Sequence, residues 1–143
     1  MMIYKKLTNF FKQISTLNEI SSILEWDMAT MMPSKSRASR IKQIEVLTQK
    51  KREIFIHIEK QELFKKIDPS KLKDDERRNF NLMKRKFELF SFIPSDLMSR
   101  NQKLSLECEG KWREAKEKNN YTLVKKQLVN LFKSIKEKSR ILS

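Results

Sequence analysis

Residues 23–47, ILEWDMATMMPSKSRASRIKQIEVL, decide how the chain is built, because they hold a break between two long helical patterns. The apolar stripe on the left closes at Trp26, and Asp27 is then placed to leave the helix and accept hydrogen bonds from backbone amides ahead of it. Pro33 has no amide hydrogen and disfavours the α region at Met32, so Asp27 to Met32 reads as a short irregular link. A second helix restarts with Ser34 or Ser36 as its N-cap. Beyond it Ile41, Ile44 and Leu47 recur at three-residue steps on one face, with Arg37, Arg40 and Gln43 on an adjoining one.

To the left of the break, Tyr4, Leu7, Phe11, Ile14, Leu17, Ile20 and Leu24 step by three or four, which predicts a helix from about Tyr4 to Trp26. To the right, the second helix continues through Ile54, Phe55 and Ile58 and past Leu63, Phe64 and Ile67 to Asp68-Pro69-Ser70. A third follows with Asp74, Asp75 and Glu76 at its positive end and Phe80, Met83, Phe87 and Phe90 on one face. Ile93-Pro94-Ser95-Asp96 marks a turn into a fourth helix striped by Leu97, Leu104, Cys108, Trp112 and Ala115. Asn119-Asn120 halts that pattern, and Tyr121, Val124, Leu128, Leu131, Ile135 and Leu142 carry a last helix to the end. One Gly and three Pro leave little turn chemistry for sheets, so the expectation is all-α: five mostly antiparallel helices forming a single helical region over residues 1–143. On this reading Trp26 and Trp112 anchor the core. Phe10, Ile23, Phe55, Phe64 and Phe90 widen the stripes enough to pack on a larger body.

Several functions are excluded by composition. No run approaches the ~18 apolar residues of a membrane span, and Lys12, Gln13 and Asn18 interrupt the first segment before it could serve as an export signal, so no membrane partner and a cytoplasmic location are expected. Cys108 has no second cysteine to pair with and reads as a small buried hydrophobe. The net charge of +14 is spread over every segment among Glu and Asp, without the like-charge block of a binding arm, so nucleic acid is disfavoured as a partner. His57 is the only histidine. Of the residues three or four away only Glu53 could join it on a metal, so it reads as a boundary residue. No phosphate-binding glycine loop or nucleophile elbow is present, and Glu107 and Glu109 point to different sides of a helix.

Trp26-Asp27, Met32-Pro33, Arg40, Gln43 and Leu47 together resemble the N-terminal signature of the carboxypeptidase Taq family of zinc metallocarboxypeptidases. A second stretch, Trp112 to Tyr121, resembles the family's later motif, with Lys116 standing for an Arg, Asn120 for an Asp and Tyr121 for a Phe, and with Lys125-Lys126 close to where a Pro is usual. The resemblance implies zinc held by a His-Glu-x-x-His helix in the intact enzyme, which a chain with one histidine cannot contain in any register. No catalytic or metal-ligating residue is therefore expected here, and this chain itself is expected to bind no cofactor. The resemblance further implies the N-terminal helical portion of a truncated or split enzyme, forming a lid or wall over the zinc groove. Trp26, Asp27, Met32, Pro33, Arg40 and Trp112 would be its structural motif, and Arg40 a contact for a peptide carboxylate. The implied partner is a separately encoded catalytic half, or a second copy, with peptide substrate bound only in the intact enzyme. The alternative reading is a free-standing basic helical protein that binds nucleic acid or another acidic partner.

Overall fold

The computed structural model describes residues 2–142. Among these residues it is all-α, with no strand: α1 is Met2–Thr30, α2 Arg37–Lys60, α3 Asp74–Phe92, α4 Ser95–Glu117 and α5 Thr122–Leu142. Short 3-10 turns at Ser34–Ser36 and Pro69–Lys71 precede α2 and α3. Two compact units result, divided between Phe90 and Ser91.

In the first unit α1 and α2 run antiparallel. Asp27 meets Arg40 at one end, Asn18 meets Lys51 in the middle, and Phe10 meets His57 towards the other. Helix α1 buries Leu7, Ile14, Ser21 and Met28, one residue per heptad, and Ser21 can sit there because its hydroxyl donates back to the Leu17 carbonyl at 2.9 Å. Tyr4, Leu7, Ile14, Phe55, Ile58, Leu63, Ile67, Phe80 and Met83 form the core. Aromatic rings tie α3 to it: Phe55 stacks on Phe90 with centroids 4.3 Å apart, and Phe64 packs against Phe80 and Phe87 at 5.5 and 5.0 Å.

The second unit is the α4–α5 hairpin, seamed by Cys108, Ala115 and Val124 with Leu123, Leu128 and Leu131 against them. Arg100 reaches Glu137 at 2.5 Å nearer its open end. At the tight end Asn119 takes φ 48°, a left-handed conformation that asparagine tolerates, and the Asn120 side-chain oxygen accepts the Thr122 amide hydrogen at 3.1 Å to start α5.

Five expectations are corrected. The first helix does not stop at Trp26: it runs four residues further, to Thr30, because a single aspartate does not end a helix, whereas Pro33 forbids the α region only at Met32. Asp27 therefore stays inside α1, and its backbone carbonyl accepts the amide hydrogens of Met31 and Met32 at 3.0 and 2.9 Å as the helix closes. Neither serine caps α2 with its side chain. Ser34 lies in the 3-10 turn, and Ser36 holds the N-cap place in an αR conformation without a side-chain bond. The second helix ends at Lys60, ahead of Leu63, where Glu62 at φ 51° turns the chain.

The remaining corrections concern the tryptophans and the residues expected to widen the stripes. Trp26 is 62% exposed and Trp112 48%. Trp26 precedes Met28 by two residues, which at 3.6 residues per turn puts it about 200° round α1 from the buried heptad. Trp112 lies about 40° from Cys108, on the flank of the α4–α5 seam. Of the residues expected to widen the stripes towards a larger body, only Ile23 is exposed; Phe55 is buried and Phe10, Phe64 and Phe90 pack on the first core.

Candidate functional site

The break between α1 and α2 gathers the polar residues singled out in the sequence. Arg40 lies on the first turn of α2, and its guanidinium donates to Asp27 Oδ2 at 2.5 Å and to Gln43 Oε1 at 2.8 Å. Both members of the ion pair are largely covered, with side-chain exposures of 25% for Arg40 and 28% for Asp27. Arg40 Nε is buried and makes no hydrogen bond among the described residues, so one of the five guanidinium donors is spent without a partner. Met32 beside them is half-buried, and Pro33 is exposed. Trp26 is the neighbour of Asp27 in the chain but points to the exposed face of α1.

Trp112 belongs to the second unit. Its ring carries the Lys116 ammonium 5.3 Å from the centroid, a cation–π contact at the surface. Glu114, on the same helix, accepts from Lys111 and Lys118, both at 2.8 Å, and these two bonds hold its carboxyl at about 2.

Lys51, within the basic run Lys50-Lys51-Arg52, is half-buried and was not singled out from the sequence. Burial pushes the Lys51 ammonium below its ordinary range against the opposing pull of Glu25, and its Nζ donates to Asn18 Oδ1 at 3.0 Å. A signal was present: Ile44 and Ile58 are both buried in α2, and Lys51 falls midway between them at heptad spacing.

The donor set does not suit a metal. His57 is exposed, its ring meets Phe10 edge-on with centroids 5.2 Å apart, and its Nε2 contacts Gln61. Glu53, one turn away, is engaged by Lys50 at 2.8 Å. Cys108 is buried in the α4–α5 seam, where burial raises its thiol pKa. No group of three His, Cys, Asp or Glu side chains among the described residues is arranged to hold an ion. No described helix is long and apolar enough to cross a membrane.

Comparison with known proteins agrees with the fold and with the family resemblance. The family model described as carboxypeptidase Taq (M32) metallopeptidase matches residues 6–143. A solved structure described as "The Structure of CHT" superposes with a TM-score of 0.74 at 19% identity, over 100% of this chain and 29% of that one. At that identity the likeness speaks for the fold alone. No curated protein matches.

Proposed function

The chain belongs to the carboxypeptidase Taq (M32) metallopeptidase family, and from that premise we propose that it is the N-terminal helical portion of a zinc-dependent metallocarboxypeptidase, without activity of its own. The observation that carries the reading is the family match over residues 6–143 in a sequence with one histidine. A His-Glu-x-x-His helix needs two, so the zinc ligands and the glutamate that activates water must come from outside these residues. The chain spans 29% of the length of the solved chain it superposes on, which leaves room for them.

In this reading the helices form a wall of the substrate groove, and the Asp27–Arg40–Gln43 cluster holds the angle between α1 and α2. Arg40 has the fork geometry to take a peptide carboxylate bidentately, but Asp27 already occupies it, so a substrate carboxylate would bind only by displacing Asp27. The hinge role is the one we assign.

Zinc analysis of the purified chain and a C-terminal trimming assay test the proposal. The chain alone is expected to hold no stoichiometric zinc and to release no residues. Trimming is expected to appear when it is mixed with a family polypeptide that carries the His-Glu-x-x-His helix but is inactive by itself. Metal-dependent release by the chain alone would overturn the reading.

A further inference from the structure

The α4–α5 seam uses one side of α5: Val124 is buried, and Leu128 and Leu131 pack against it. A second apolar row next to it is left uncovered. Phe132 is 59% exposed, Val129 44% and Ile135 42%, and at 3.6 residues per turn Val129, Phe132 and Ile135 lie on one face of the helix. Lys125 and Lys136 fall among them on that face. Over its whole length α5 carries Lys125, Lys126, Lys133, Lys136, Lys138 and Arg140 against Glu137 as its one acid, and Glu137 is engaged by Arg100.

Counted round the helix from Val124, Lys125 and Lys136 fall at about 100° and 120°, between Phe132 at about 80° and Val129 at about 140°, so the face carries positive charge among its apolar residues. A second copy of the chain would set lysines against lysines, which the like charges oppose. A helix with a leucine stripe bordered by Glu or Asp would meet both features at once, burying its apolar residues on Phe132 and Ile135 while its carboxylates pair with Lys125 and Lys136. We infer that the exposed Val129–Phe132–Ile135 face of α5 is a docking surface for an acidic amphipathic helix of a partner protein. The inference goes beyond the peptidase reading and does not depend on it, since it uses only the exposure and charge of α5.

The test uses the full chain and a fluorescent synthetic peptide of about 20 residues, long enough for several helical turns, with Leu at helical spacing and Glu on the flanks. The peptide is expected to bind. F132S and K136E, both changes at exposed positions, are each expected to weaken it roughly ten-fold with unchanged circular dichroism, while the same peptide with Lys in place of Glu does not bind. Equal affinity for parent, F132S and K136E, or no binding at all, overturns the proposal. So does a parent that sediments as a dimer and becomes a monomer in F132S, which assigns the face to a second copy. Binding of duplex DNA or anionic vesicles that K136E abolishes, with the acidic peptide inert, also overturns it in favour of a phosphate-bearing surface.

Discussion

Arg40 and Asp27, 13 residues apart in the chain, are joined at 2.5 Å across the break between α1 and α2, and the same guanidinium holds Gln43 one turn along. Because both side chains are more than two-thirds covered, removing one partner leaves the other charge poorly solvated. Replacing Asp27 or Arg40 by Ala is expected to destabilise the chain by about 1–3 kcal/mol, with a coupling energy of about 1 kcal/mol or more in the double-mutant cycle. Urea unfolding of the four proteins measures it. Strictly additive single changes would show that the pair contributes nothing.

The exposure of the tryptophans leads to a different expectation from their place on apolar stripes. W26A and W112A should each change stability by less than about 1 kcal/mol, the scale of a surface substitution or an exposed cation–π contact. Leu7→Ala and Ile58→Ala, at fully buried positions, should lose about 2–5 kcal/mol. Acrylamide should quench the tryptophan fluorescence of the folded chain strongly. Poor quenching, or losses from the Trp variants as large as those from the core variants, contradicts the exposures.

Glu114 sets a pH window. Hydrogen bonds from Lys111 and then Lys118 depress its carboxyl from the ordinary 4.5 to about 2 in the folded chain. A depressed carboxylate contributes stability that is fully present above the unfolded value and is lost as pH falls through the folded one, so its contribution fades between pH 4.5 and about 2. Carboxyl NMR should show Glu114 titrating near the lower end of that range and moving up in K111Q and K118Q variants. A midpoint near 4.5 in the parent removes the pairing from the account.

Cys108 is expected to react slowly with a disulfide reagent at pH 8, because it is buried between α4 and α5 and its thiol is held above its usual pKa. Addition of denaturant should release it to the rate of a free thiol. Fast labelling of the folded chain would mean that the hairpin opens readily.

What the amino-acid sequence determined by itself is the order of helices and the places where α2 to α5 restart, whereas the ends of α1 at Thr30 and of α2 at Lys60 were not read from it. Pro33, Asp68-Pro69, Pro94 and Asn119-Asn120 act through their own backbone and side chains, and a short-range cause can be read from a short stretch. The family was legible for the same reason, since the resemblance was carried by residues in a fixed order within a few turns, and the family model matches residues 6–143. Periodicity also located most of the first core, since Leu7, Ile14, Ile58, Phe80 and Met83 lie on predicted stripes. Which side of each stripe is covered was decided only by tertiary packing. Ser21 and Met28 entered the seam of α1 and Lys51 the middle of α2, while Trp26 was left in solvent, because the heptad spacing that faces a neighbouring helix outweighs the hydrophobicity of any one residue. The Asp27–Arg40 pair belongs to that second class: its two ends come within hydrogen-bonding distance only when the chain folds back at Pro33 and lays α2 against α1.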